Sequence, residues 1–202
     1  DEQRLVRGWQ HLWTSGEFRY YLSFVGIAIS LVVIGLWAPL RGNGWTFGEA
    51  LRPALFQVAS ILTGTGYATD DYGQWGGFAV VLFFFVMFIG GCAGATSCGI
   101  KIFRFQVLYA AARTQMGRLL QPHGIFVANF NRRPIPDSVM DSVMSFFFLF
   151  ALSFAVLAVA LSLLGLDFLT AVSGAGTAIA NVGPGLGDVI GPSGTFAPLP
   201  DL

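Results

Sequence analysis

Two short glycine-bearing turns hold the residues best suited to chemistry in this chain: Thr63-Gly64-Thr65-Gly66-Tyr67-Ala68-Thr69 and Asn181-Val182-Gly183-Pro184-Gly185-Leu186-Gly187. What such turns offer is backbone. A cation stripped of its water needs a ring of oxygens in place of the lost shell, and backbone carbonyls can supply one. Successive carbonyls can point to one side only where the chain enters conformations that a Cβ disfavours, which calls for glycine. Each turn follows a short, moderately apolar segment, residues 47–62 and 167–180. A helix ending there would aim its C-terminal partial charge, about half an elementary unit, at the turn. Gly64, Thr65, Gly66 and Tyr67, with Asn181, Val182, Gly183 and Pro184, are therefore the candidate cation-coordinating residues. Either turn alone would pass for an ordinary Gly-rich surface loop. Two in matching places favour a site.

The elements that must position these turns are apolar enough for a bilayer. Spanning the hydrocarbon core takes about 20 apolar residues as a helix. Residues 20–37 and 143–166 meet that without a charge, the first flanked by Tyr20, Tyr21 and Trp37 as interfacial anchors. A third apolar run, residues 78–89, breaks at Gly90-Gly91-Cys92-Ala93-Gly94-Ala95-Thr96-Ser97-Cys98-Gly99 and resumes over 100–112. Non-helical backbone at membrane depth is tolerated only where protein buries it or water reaches it. The third span is therefore expected to be a discontinuous helix beside a cavity or pore. The order span, short helix, glycine turn, broken span then partly recurs from residue 137, with a longer loop over 38–46 in the first copy. This is an internal repeat of topology with weak residue identity.

Composition agrees with this membrane reading. Apolar residues make up 54% of the 202, charged ones only 11%, and the mean hydropathy is +0.67. So few charges cannot cover the surface of a soluble domain. Eleven basic and eleven acidic residues balance to zero, which argues against a nucleic-acid partner. Cys92 and Cys98 lie in an apolar, glycine-rich stretch and read as small packing residues. The chain begins at Asp1 without a Met and stops in a Pro-rich stretch, and both ends read as cuts through a longer protein.

Basic residues set the expected orientation. Arg4, Arg7 and Arg19 precede the first span, and Lys101, Arg104, Arg113, Arg118, Arg132 and Arg133 follow the break, against Arg41 and Arg52 on the other side. The positive-inside rule then puts the N-terminus and the 114–136 loop in the cytoplasm. Both glycine turns open outward, near Asp70, Asp71 and Asp188. His11 and His123 read as surface residues of cytoplasmic loops.

Thr65-Gly66-Tyr67-Ala68-Thr69-Asp70-Asp71-Tyr72, followed by Phe88-Ile89-Gly90-Gly91-Cys92-Ala93-Gly94 and Gly99-Ile100-Lys101, resembles the third repeat of the Trk/Ktr/HKT potassium transporter superfamily. Asn181-Val182-Gly183-Pro184-Gly185-Leu186-Gly187 resembles the fourth-repeat filter of its TrkH-type membrane subunits. The resemblance runs from about Trp13 to the end. It implies an all-α integral membrane protein of tandem repeats, each an outer helix, a pore helix, a filter and an inner helix. On that pattern residues 1–113 form one repeat (outer helix 20–37, pore helix 47–62, filter 63–69, broken inner helix 76–113). A cytoplasmic loop covers 114–136. Residues 137–202 form a partial repeat, with outer helix 138–166, pore helix 167–180 and filter 181–187, lacking its last inner helix.

The resemblance also implies K+ as the transported ion, with no organic cofactor and no enzymatic activity. It implies the bacterial inner membrane, a homodimer of the full-length subunit, and a cytoplasmic nucleotide-binding regulatory subunit of the TrkA type. The glycine-rich break maps onto an intramembrane gating loop comprising Gly90, Gly91, Gly94, Ala95, Thr96, Ser97, Cys98 and Gly99, with Lys101 trailing. Ser97 and Cys98 depart from the pattern, standing where the family often has glycines, which bears on the loop's flexibility. Lys101 reads either as a snorkelling interfacial cation or as a charge that repels potassium at a closed gate. Three rivals stand beside this reading. They are a two-repeat channel assembling as a dimer, a solute symporter using the broken helix, and an intramembrane hydrolase with Ser97 as nucleophile. The last needs a base within hydrogen-bond reach, and both histidines fall outside the spans.

Overall fold

From Tyr20 to Trp37 the chain runs without a charge or a proline, and in lipid a helix satisfies such a backbone internally. The computed structural model describes residues 16–37, 46–121, 123–130 and 133–197. The expected cytoplasmic charges Arg4, Arg7 and Arg132, as well as His11 and Arg41, lie outside the described residues. The first helix, α1 (Gly16–Trp37), tolerates Ser23 and Ser30 because their hydroxyls donate back to the carbonyls of Arg19 and Gly26. Helix α2 (Phe47–Thr63) packs along it. Its start is held by Glu49, whose carboxylate accepts from the Thr46 backbone N–H at 2.9 Å and the Thr46 hydroxyl at 2.7 Å. Those bonds hold the Glu49 carboxyl below its ordinary range.

A short 3-10 turn, Tyr72–Trp75, leads into α3 (Gly77–Val86). Helix α3 is apolar throughout, and α1 approaches it closely because Gly35 presents no side chain to the Phe78 ring. Helix α4 (Ile102–Leu120) follows the break. A two-residue antiparallel hairpin, β1 (Asn129–Phe130) with β2 (Arg133–Pro134), then precedes α5 (Asp137–Leu163), α6 (Phe168–Ala180) and the single turn α7 (Gly187–Ile190). Among the described helices, Gly16–Leu36 and Asp137–Leu163 are long and apolar enough to cross a membrane. Helix α5 exposes apolar side chains along its length, with Phe148, Val156 and Leu163 all more than half exposed.

Two boundaries differ from the sequence expectation. The apolar run ending at Ile89 leaves the helix at Val86, because Phe88 and Gly90 exchange backbone bonds with Ile100 instead. Residues 114–120, expected in the cytoplasmic loop, continue α4. No proline or cap interrupts Thr114-Gln115-Met116-Gly117-Arg118-Leu119-Leu120, and Arg118 in the last turn suits the helix's negative end.

One core joins α1, α2 and α3 with the end of α6 and the turn that follows it. Val32, Val58 and Phe83 are buried beside Ala180, Val182 and Leu186, so the second glycine turn sits in the core of the first unit. A smaller cluster of Val107, Ala128, Ile135 and Val143 ties α4, the hairpin and α5 together. Arg104 adds to that end, its guanidinium lying 3.7 Å from the centre of the Phe146 ring.

Candidate functional site

Both glycine turns are built the same way from the helix before them. Helix α2 ends at Gly64 (φ 70°, ψ 23°) and α6 at Asn181 (φ 52°, ψ 51°), both left-handed caps. Asparagine is the non-glycine residue that tolerates this conformation best, because its short polar side chain bonds locally. In the first turn the Thr65 N–H donates to the Ser60 carbonyl at 2.9 Å, and in the second the Val182 N–H donates to the Thr177 carbonyl at 3.1 Å. The same offset relates Ser60 to Thr177, Gly64 to Asn181, and Gly66 (φ 75°) to Gly183 (φ 111°). The hydroxyls at the shared position are used differently. Ser60 donates to the Tyr67 carbonyl at 2.6 Å, whereas Thr177 accepts the Gly183 N–H at 2.9 Å.

The fold then brings the turns face to face. A Cβ built on Gly66 would lie 2.4 Å from the Val182 carbonyl oxygen, and one on Gly64 would lie 3.2 Å from the Asn181 oxygen. The space beside Gly183 is bounded by the Cα of Gly66 at 3.5 Å. Tyr67 points its ring outward, 73% exposed, and its carbonyl is taken by Ser60. Pro184 closes on Gly66 from the other turn, its Cδ 3.1 Å from the same Cβ position.

Residues to which the sequence reading gave no role hold this arrangement. Gln57, fully buried on α2, donates to the Asp70 carbonyl at 2.8 Å. Ser173 accepts the Leu186 N–H at 3.0 Å. Tyr72 donates to the Gly185 carbonyl at 3.3 Å and so links the two turns across 113 positions. Burial, with the nearby Asp71 charge second, pushes the Tyr72 phenol well above its usual range, so it stays a donor. A polar residue facing inward on a short helix was the one available signal for these. Asp70 and Asp71, expected as vestibule charges, have local partners: Asp70 accepts the Trp75 indole N–H at 3.2 Å and Asp71 accepts the Gly73 N–H at 2.9 Å. Asp188 is exposed in the first turn of α7.

The glycine-rich stretch is a looped excursion with a tight neck. Ile89 and Ile100 form a parallel bridge, the Gly90 N–H donates to the Ile100 carbonyl at 2.9 Å, and the Ile100 N–H donates to the Phe88 carbonyl at 2.7 Å. The chain therefore leaves the loop in the direction it entered, and α4 carries on from α3. Gly90 and Gly99 stand back to back, and a Cβ on either would come within 3 Å of the other's backbone. Gly91 is buried at the neck and its N–H donates to the Ser97 hydroxyl at 2.8 Å. Gly94, with φ 86°, turns the exposed tip beside Ala95 and Thr96. Lys101 folds back onto the loop, its ammonium donating to the carbonyls of Ala95, at 2.6 Å, and Ser97. The Cys98 thiol accepts from the Asn181 amide at 3.5 Å, which joins the loop to the second turn.

Two helices long and apolar enough to cross a membrane, short helices ending in apposed glycine turns and a looped break place the chain in the class of all-α membrane proteins. A family model described as TrkH, cation transport protein, matches residues 44–199. The Trk system potassium uptake protein TrkI of Halomonas elongata is 50% identical over 87% of this chain and 36% of its own length. The Trk system potassium uptake protein TrkH of Vibrio parahaemolyticus is 34% identical over 89% of this chain and 37% of its own. The crystal structure of the potassium transporter TrkH from Vibrio parahaemolyticus superposes with a TM-score of 0.81 at 32% identity, over 89% of this chain and 38% of that one. The chain belongs to the TrkH family of cation transport proteins. It spans little more than a third of the length of these relatives.

Proposed function

We propose that this chain carries two pore repeats of a Trk-type potassium uptake subunit, coordinating K+ with backbone carbonyls of the two glycine turns. In this reading α1, α2, the first turn and the α3–loop–α4 unit are outer helix, pore helix, filter and broken inner helix. Helices α5 and α6 with the second turn repeat the first three parts. The observation that carries it is the apposition of Gly66 with Val182 and Gly183, two turns far apart in sequence whose backbones meet at the ends of two helices. Helix C-termini favour a cation there, and glycine lets the carbonyls share one side. The 90–99 loop, beside the second turn through Cys98 and Asn181, is the gate. The names of the relatives support potassium as cargo and a multi-component system. Homodimerisation, a nucleotide-binding regulatory subunit and the bacterial inner membrane, with the Arg-rich α4 end cytoplasmic, belong to the same reading.

The test is uptake by the full-length protein that contains this segment. It should restore growth at low potassium to a bacterium lacking its own uptake systems, and deleting residues 93–97 should raise basal flux while leaving ion preference intact. No rescue, despite membrane insertion, would overturn the potassium reading. A deletion protein that folds and conducts no more than the unaltered one would leave the loop as a packing surface.

A further inference from the structure

Beyond its backbone neck, the exposed tip of the 90–99 loop is held by two side chains of opposite charge. Glu17, in the first turn of α1, accepts the Ala93 N–H on its Oε2 at 3.1 Å, across 76 positions. From the other end of the loop, Lys101 donates to the carbonyls of Ala95 and Ser97. Each charge meets the backbone group it suits, a carboxylate on an amide and an ammonium on carbonyls, and the two could not be exchanged. The neck needs neither, since Gly90, Ile100, Gly91 and Ile102 close it among themselves. Beside the loop lies a cavity of about 230 Å³, bounded by Phe18 and Tyr21 of α1, Thr63 at the end of α2, and Cys92, Ala95 and Ser97. The tip therefore has room to move without displacing a helix.

We propose that Glu17 and Lys101 form a two-sided clamp that holds the loop tip, and that the first turn of α1 is the point from which the loop is released. As positioning residues they act on the loop rather than on the ion. A shift of α1 at this end would withdraw Glu17 from Ala93, leaving the tip on Lys101 alone and free to enter the cavity. The link to conduction rests on the proposed gating role of the loop, but the clamp itself does not.

The experiment uses the full-length protein, purified and reconstituted, with Cys98→Ser so that the half-buried Cys92 reports on the loop. Glu17→Ala, Glu17→Gln and Lys101→Met are compared for the rate of Cys92 modification by a charged thiol reagent, for basal rubidium flux and for K+ over Na+ preference. Removing a charge-assisted hydrogen bond of ordinary strength should speed Cys92 modification about tenfold in Glu17→Ala and Lys101→Met. Glu17→Gln keeps an acceptor oxygen and should stay within about threefold of the parent. Ion preference should not change in any of them. Faster modification with raised flux supports both the clamp and the gate. Faster modification with unchanged flux supports the clamp and overturns the gating role. Unchanged or slower modification in a monodisperse Glu17→Ala protein overturns the clamp. Should Glu17→Ala not fold, Lys101→Met reads the same tip, and an unchanged rate there overturns it equally.

Discussion

Gly66 is more tightly constrained than Gly183, although both have positive φ. At Gly183 the obstacle to a side chain is conformational, since the nearest atom to its Cβ position is 3.5 Å away. At Gly66 a Cβ would also strike the Val182 carbonyl oxygen at 2.4 Å, displacing an oxygen of the opposite turn. A left-handed conformation costs a non-glycine residue about 1–2 kcal/mol; the collision adds to that at Gly66 alone. Gly66→Ser should therefore reduce potassium-over-sodium preference more than Gly183→Ser does, measured as permeability ratios of the reconstituted full-length protein. Equal or reversed effects would mean that the turns do not constrain each other, and unchanged preference in both would remove the turns from the ion path. Tyr72 offers a milder probe. Tyr72→Phe leaves the buried Gly185 carbonyl without this donor, and should lower stability by about 1 kcal/mol with a matching drop in melting temperature.

At the scale of elements, the short helices depend on their first turns. Asp167 caps α6, its carboxylate accepting the Thr170 N–H at 3.1 Å, and that bond holds its carboxyl below the ordinary value of 3.8. A depressed carboxyl stabilises the fold in full above its unfolded value and loses that contribution as pH falls through the lower folded one. Asp167→Ala should thus cost about 1 kcal/mol near neutral pH, and the gap from the unaltered protein should narrow below about pH 4. Melting curves in detergent at pH 7 and pH 3.5 would read this, and a gap independent of pH would show that the charge is not what the cap uses. Helix α3 ends differently, without a glycine cap of its own. Its last residues are captured by Ile100, and an aromatic series from Phe84 through Phe88 to Phe154 and Phe150 fastens that end to α5. The break is thereby anchored on the side away from its exposed tip.

For the whole molecule, the distribution of charge and apolar surface sets how it sits in a bilayer. Arg104, Arg113 and Arg118 run along α4 from its first turn to its last, Arg133 lies in the hairpin that follows, and α5 continues from there with apolar side chains exposed along its length. At about 1.5 Å per residue its 27 residues reach about 40 Å, enough to cross. Ser138, exposed at the foot of α5, reports on the orientation. With Cys92 and Cys98 replaced by serine, Ser138→Cys should react with an impermeant thiol reagent only from the cytoplasmic side. Labelling from outside the cell would mean that the topology is inverted.

Much of this was legible before any folding. A run of uncharged apolar residues has one stable form in lipid, so the helices around residues 20–37 and 143–163 follow from composition and length. The two turns were visible because few residues besides glycine adopt positive φ, and the break because no continuous helix accommodates Gly90-Gly91-Cys92-Ala93-Gly94 cheaply. Helix ends were less clear, as with residues 114–120, where nothing local says whether a polar helix continues. Sequence could not say which polar side chains turn inward, since Gln57, Ser60, Ser173 and Thr177 look like any residues of a short helix until neighbours bury them. Nor could it foresee that Lys101 folds back onto carbonyls, or that Glu17 reaches an amide 76 positions away. Local chemistry decides where a backbone can turn. Which turns meet is decided by packing between segments more than a hundred residues apart, and only the tertiary structure sets Gly66 against Val182.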